Sequence, residues 1–486
     1  MVKKIFIFAF CFLFLVSFAF AAKEEKTEPR NVILFIADGT GPTIMHLLIQ
    51  YAKLAPKSPF QDRQSTLEKL INEGKLSLVH NDTAFSIVSD SAAAATQFAT
   101  GHKTQPEALG VDKDLNPVSS VLIEAKEKGK ATGVLTDTYV LDATPAGFFG
   151  HVESRKDYTT LSKNLLEVKP DIVMGGGFNH FVSKANIESG DLENILKKVP
   201  YVAEIEPKNK DDKTFETLLK SGYALVFDEK GLNKAKANKI FGLFAAEGYP
   251  FNIDGLKTAP SLPVMTKKAV EVLSKNKQGF FLMVEAGEVD WAAHTNDAAT
   301  TLREMLEAEE TLAYLKTWVD NHPNTLLIIT ADHDTGGFGF NYKKVSKEEK
   351  EYKMDKGYIQ GKYDYISPEI LDKILEQKAS FYILGKNFKA LPKEKQTPQN
   401  ALKIINENLN LNLTLEQIGL HEDDTDFSFD KAIKKASENL GIVWSTKQHT
   451  SSPLLIIFYG AQVEAPNLMH NTQIPQIIRN YFNEEQ

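Results

Sequence analysis

Three short stretches of the chain bring acids and histidines together at spacings that suit a metal ion. In Glu285-Ala-Gly-Glu-Val-Asp290-Trp-Ala-Ala-His294, Asp290 and His294 stand four apart, so a helix would set them on one face. A carboxylate and an imidazole together are an ordinary zinc donor pair. Thr330-Ala-Asp332-His333-Asp334-Thr-Gly-Gly337 joins Asp to His ahead of two glycines, a loop that a ligand could approach closely. Gln448-His449-Thr450 adds one more imidazole. Alone, each stretch has a plain alternative: a solvated helix pair, an ordinary turn, a surface histidine.

Two further stretches carry phosphate chemistry. Asp90-Ser91 precedes Ala92 to Ala95, which suits a helix start. There the hydroxyl would face free backbone N–H groups and the positive end of the helix dipole, an anion site. A simple cap serine is the alternative. A serine hydroxyl also needs a base or a metal before it is a good nucleophile. In Leu141-Asp142-Ala143-Thr144-Pro145, Asp142 and Thr144 offer hard oxygens that suit Mg²⁺. Arg155 offers a planar fork for two phosphate oxygens. Without context, this stretch reads as a polar loop with a surface arginine.

The elements that must position these groups are short apolar runs. Asn31–Ala37, Gly133–Thr136, Phe280–Val284, Thr325–Thr330 and Leu454–Tyr459 read as buried strands. Helical patterns at Met265–Asn276 and Thr301–Asn321 lie between them. Strands buried on both faces and alternating with helices imply an α/β fold, a mostly parallel central sheet flanked by helices on both faces. Asp38 follows the first run, Glu285 the third, and Asp332 and His333 the fourth. Ligands of open α/β sheets bind beyond the carboxyl ends of strands, so these ends predict one shared site.

The chain's 486 residues would suggest about three domains by length alone. Candidate ligands scattered along the whole chain argue for fewer. Residues from about 341 to 445 change character: Lys, Glu and Tyr are dense, and helical stretches follow at Pro368–Leu375, Pro398–Leu409 and Asp430–Leu440. This reads as a subdomain inserted between core strands. There is no internal repeat. Asn81-Asp-Thr83 and Asn412-Leu-Thr414 match the glycosylation acceptor pattern.

Residues 1–22 have a basic start at Lys3 and Lys4, an apolar run, and Ala19-Phe20-Ala21 as a small-x-small cleavage signal. They read as a secretory signal peptide, making the mature protein exported, periplasmic or secreted. An uncleaved anchor is the alternative. No later segment is apolar enough to span a bilayer. The only cysteine, Cys11, lies in that signal, so the mature chain, residues 23–486, can use neither disulfides nor thiolate ligands. Its net charge of -10, once Lys3 and Lys4 are removed, excludes general binding to nucleic acid or anionic membrane.

Taken together, Asp38-Gly-Thr-Gly, Asp90-Ser91-Ala, Asp142-Ala-Thr144-Pro-Ala with Arg155, the Glu285/Asp290/His294 cluster, Asp332-His333 and His449-Thr resemble the alkaline phosphatase family. The motifs stand in the family's order from about Asn31 to Gly460. The resemblance implies two Zn²⁺ and one Mg²⁺. One zinc would take Asp290, His294 and His449, and the other Asp38, Asp332 and His333, beside Ser91. Magnesium would take Asp38, Thr144 and Glu285, with Asp142 direct or through water. Arg155 would clamp phosphate, Asp90 would only position, and Ser91 would form a phosphoserine that water then hydrolyses. Two metals about 4 Å apart can serve attacking and leaving oxygens in turn. The implied substrates are small phosphate monoesters of broad range, the implied assembly is a homodimer, and the inserted region falls where some members carry a crown-like domain.

Trp291 departs from the pattern of two well-known branches of the family, since the best-known bacterial enzyme carries lysine there and the mammalian ones histidine. Weaker retention of phosphate and faster product release are expected from it. Two other readings compete. One is a phosphodiesterase, nucleotide pyrophosphatase or sulfatase of the same superfamily. Asp142, Thr144, Glu285 and Arg155 favour monoesters, and Ser91 lacks the Pro and Arg neighbours of a sulfatase motif. The other is an inactive phosphate- or metal-binding protein, which the intact ligands and nucleophile disfavour.

Overall fold

The computed structural model describes residues 30–344, 359–360 and 362–483. The signal peptide, Cys11 and part of the Lys/Glu/Tyr-rich stretch lie outside them. Ten strands form one sheet: β1 (Asn31–Ala37), β2 (Lys75–His80), β3 (Ala131–Tyr139), β4 (Ile172–Gly176), β5 (Ala224–Val226), β6 (Ile240–Leu243), β7 (Phe280–Ala286), β8 (Thr325–Thr330), β9 (Leu454–Gly460) and β10 (Leu468–His470). Their order is β10-β2-β9-β8-β1-β7-β3-β4-β6-β5. Every pairing is parallel except those of β9, which runs antiparallel to β8 and β2.

The apolar runs explain this layering. β1, β7 and β8 are buried along their whole length. Such strands need covering on both faces, and helices supply the cover. All five expected strands form. The sheet also takes in β2, β4, β5, β6 and β10, which are short, half-exposed or glycine-rich and give little apolar signal. The helices expected near residues 265 and 301 begin three residues earlier, at Leu262 and Ala298.

Four helices bear on function: α1 (Ser91–Thr100), α2 (Ala143–Ala146), α3 (Glu288–His294) and α4 (Ala298–Asp320). All ten residues of α1 are buried, so its alanines serve close packing as well as helix propensity. Asp90 starts it, its carboxylate accepting from Ala92 N and Ala93 N, and Gly101 ends it at φ 86°.

The inserted stretch forms helices at Glu369–Ile374, Pro398–Leu409 and Phe429–Glu438, close to expectation, and also α5 (Phe381–Ala390). Phe381, Phe388, Ile405, Phe429 and Ile433 pack in an apolar cluster separate from the main core.

Candidate metal centre

Strand order explains why ligands far apart in sequence meet. β8, β1, β7 and β3 are adjacent and parallel, so Asp332, Asp38, Glu285 and Asp142 all emerge at one edge. β9 runs the other way, with Ile456 opposite Thr330, so its start lies at that same edge. His449, five residues before β9, therefore arrives from the opposite chain direction. A two-residue ladder, His449 opposite Thr335 and Thr450 opposite Asp334, pins it there.

Two His/carboxylate clusters result. In one, His294 Nε2 lies 3.3 Å from Asp290 Oδ2 and 3.1 Å from His449 Nε2. In the other, His333 Nε2 lies 3.1 Å from Asp332 Oδ2 and 3.6 Å from Asp38 Oδ1. Within each cluster the ligand atoms fall within 4.8 Å of one another. The rings of His333 and His449 stack with centroids 3.5 Å apart, joining the clusters. The other ring nitrogens are held by the surroundings: His294 Nδ1 by Lys447 O, His449 Nδ1 by Ser89 O and His333 Nδ1 by Thr335 Oγ. Such partners leave Nε2 directed at the site.

An all-oxygen group adjoins them. Thr144 Oγ donates to Asp38 Oδ2 at 3.2 Å, and the Thr136 and Thr144 hydroxyls both reach Glu285. Burial and neighbouring carboxylates hold Asp38 and Glu285 well above the usual carboxylate range, and burial pushes Asp332 up to about 7. Burial, and then His449, push His333 well down. Asp290 is also buried, yet hydrogen bonding to His294 and the nearby imidazoles hold it low. Asp38 Oδ1, Asp332 Oδ2 and Glu285 Oε2 are buried with no hydrogen-bond partner. Buried anions persist when paired or ligating a metal. The two His/carboxylate clusters and the oxygen group fit two zinc ions and one magnesium ion.

Ser91, 4% exposed, opens α1 with Oγ 3.1 Å from His333 Nε2. Arg155 Nη2 donates to Asp142 Oδ1 at 2.7 Å, and Nη1 lies 3.7 Å from Asp90 Oδ2. The fork is thus held over the helix start by two acids. Trp291 packs its indole over Gly248 and near Tyr139, whose ring centroid is 6.2 Å away.

Other residues prove to support the site. Asn81 does not fit a glycosylation acceptor: it is buried, and its amide donates to Asp332 O. Asp137 Oδ1 accepts from Gly287 N and Glu288 N, fixing the turn between β7 and α3. Neither residue has a local pattern to reveal it. A third His/carboxylate group, His80, Asp82 and His470, forms where β2 and β10 end side by side. Lys103 already pairs with Asp82 there.

A family model described as alkaline phosphatase matches residues 29–483. The chain is 33% identical to alkaline phosphatase 4 of Bacillus subtilis, over 68% of this chain and 67% of that one. It is 30% identical to alkaline phosphatase 3 of the same organism, over 93% and 88%. Among solved structures, it superposes on the alkaline phosphatase of Thermus thermophilus with TM-score 0.73 at 25% identity, covering 93% of this chain and 91% of that one. The enzyme of a psychrophilic Shewanella gives 0.71 at 25%, covering 93% and 100%. The convergent ligands, the sheet that gathers them and these likenesses lead to one conclusion: the chain belongs to the alkaline phosphatase family and is a hydrolase of that type.

Proposed function

We propose that this hydrolase cleaves phosphate monoesters to an alcohol and inorganic phosphate through a covalent phosphoserine at Ser91. The observation that carries the reading is Ser91 Oγ at the first turn of a buried helix, 3.1 Å from an imidazole of a His/carboxylate cluster. Asp290, His294 and His449 would hold one zinc, and Asp38, Asp332 and His333 the other. Asp38, Thr144 and Glu285 would hold magnesium, with Asp142 beside them. When bound, these ions supply Lewis-acid charge for oxygens that gain negative charge in the reaction.

The chain's own groups do the rest. The free N–H groups that start α1 and the Arg155 fork bind and orient the nonbridging oxygens. Asp142 and Asp90 keep that fork in place before substrate arrives. Ser91 Oγ gives up its proton and bonds to phosphorus as the ester P–O bond breaks in line, and the departing oxygen takes up a proton to leave as the alcohol. Water then gives up a proton and bonds to phosphorus from the vacated side as the Oγ–P bond breaks, and Ser91 Oγ regains a proton.

Little contact with the alcohol is needed, which supports a broad range of small monoesters. The exposed Leu76 and Leu78 of β2 and Leu468 of β10, which lies opposite Leu78, support a homodimer. The inserted region with its own apolar cluster is read as the crown-like addition to a single catalytic unit spanning residues 23–486. Among the described residues no helix is long and apolar enough to cross a membrane, and the N-terminal leader supports export to the periplasm or medium.

The test is Ser91→Ala with p-nitrophenyl phosphate and the matched diester. Wild type should cleave the monoester by far the faster, and the variant should lose that activity and form no phosphoenzyme. Equal hydrolysis by both proteins would refute the nucleophile. A preference for the diester would favour the phosphodiesterase reading instead.

A further inference from the structure

A cavity of about 750 Å³ opens beside the metal centre. Four parts of the chain wall it: Pro200 to Glu204, residues 244–259, α3 through Trp291 and His294, and α5 of the inserted region through Tyr382 and Ile383. Its character is aromatic. Tyr249 and Phe251 are buried in its wall, Trp291 is half-buried, and Tyr382, 56% exposed, meets the Phe251 ring edge-on with centroids 6.4 Å apart. At its rim Lys257 and Glu204 pair at 2.7 Å and cancel each other's charge. Glu288, 2% exposed, also lines it, and neither of its oxygens has a hydrogen-bond partner.

The geometry also says which part of a substrate would enter. In-line displacement needs the nucleophile and the departing oxygen on opposite sides of phosphorus. Ser91 Oγ lies against His333. His449 stacks on His333, and His294 stands beyond His449. The departing group therefore points away from Ser91 toward His294, and the cavity begins at His294.

Resting on the phosphomonoesterase reading, we infer that this cavity is a subsite for the alcohol portion of the ester and that it selects flat aromatic alcohols over small aliphatic ones. Stacking and burial of an aromatic face favour binding in proportion to the apolar area removed from water. A bicyclic ring has such a face, and a two-carbon alcohol does not. The inserted region thereby gains a role, since Tyr382 and Ile383 of α5 form part of the cavity wall.

The experiment compares 2-naphthylmethyl phosphate with ethyl phosphate. Both release primary alcohols of similar acidity, so the chemical step is matched. In the metal-loaded wild type, kcat/KM should favour the naphthylmethyl ester by about tenfold or more, the scale on which apolar pockets discriminate. Ile383→Trp, which fills the cavity, should bring that ratio close to one. Tyr382→Ala, at an exposed position that truncation should not unfold, should lower it severalfold. Calorimetric titration with 2-naphthylmethanol should show binding to wild type and none to the filled variant. A ratio near one in an active wild type, or one that neither variant moves, overturns the inference alone. So does a stronger preference for an ester with a second phosphate, which would assign selection to the neighbouring cavity lined by Lys389 and Lys447, with Lys386 standing between the two. Failure to hydrolyse either ester overturns the parent reading, and this inference with it.

Discussion

Asp38, Glu285 and Asp332 are nearly inaccessible to water, and each has one oxygen without a hydrogen-bond partner. Without cations this is a costly arrangement, because burial penalises each charge and the charges repel one another. The consequence is a stability that depends on metal and pH together. Burial raises Asp332 to about 7 from 3.8, and burial and neighbouring carboxylates raise Asp38 and Glu285 well above the usual carboxylate range. These three carboxylates, without metal, hold more protons in the folded chain than in the unfolded one from about pH 4 upward, so their contribution to stability falls as pH rises; His333 and His449, pushed down by burial, act the other way below pH 6.5, and the three carboxylates outweigh them. Chelated protein is expected to melt at a lower temperature at pH 8 than at pH 5, and metal readdition should abolish the difference. A flat profile after chelation would contradict the account.

Asp137 makes the same argument away from the ligands. Burial, and then Glu307, push it up to about 8. Asp137→Asn keeps the acceptor for Gly287 N and removes the buried charge. Above pH 8 the variant should melt higher than wild type, and the gap should narrow as pH falls, closing near pH 4. Two substitutions test phosphate contact. Arg155→Lys loses the planar fork and should weaken inhibition by phosphate about tenfold or more, as expected for charge-assisted hydrogen bonds. Trp291→Lys restores a cation beside the site and should tighten that inhibition.

At the level of elements, two turns matter most. Asp90 caps α1 and also accepts from Glu107 N, so one carboxylate fixes the helix that Ser91 opens and the loop whose Glu107 O accepts from Arg155 N. Asp90→Ala should cost about 1 kcal/mol of stability, the usual worth of such a cap. Asp90→Asn should restore most of it, because asparagine caps equally well. Denaturant titration of the two variants separates capping from charge. Gly39 follows Asp38 at φ 67°, and a Cβ there would meet Asp290 Cα at 2.7 Å. Gly39→Ala should therefore drive Asp38 and Asp290 apart, lowering metal content as well as activity.

Across the whole molecule, the sheet edge at β2 and β10 presents Leu76, Leu78 and Leu468 to solvent. An apolar face on strands, close to the loop that leads into Ser91, suits a subunit contact. Leu78→Glu should convert the expected dimer to a monomer, read as a halved mass by light scattering. A monomeric wild type would remove the argument. The inserted region behaves differently: its apolar cluster is its own, but Tyr382 and Ile383 face the cavity beside His294.

Most of the chemistry could be read from residues in order along the chain. Asp290 and His294 repeat at helix spacing, Asp332 and His333 end a strand, and Ser91 opens an alanine helix. Such patterns are local, because helix period and strand ends follow from a few neighbouring residues. Asn81 and Asp137 stayed hidden, since their partners Asp332 and Gly287 stand 251 and 150 residues away. The antiparallel course of β9, which swings His449 into the site, was equally silent. So was the cavity, whose walls are drawn from separate segments between Pro200 and Lys386. Ligand type, the place of Ser91 at a helix start and fold class were thus written in local sequence. Which ligands share an ion, and what space lies beside them, were decided only when strand order brought distant segments together.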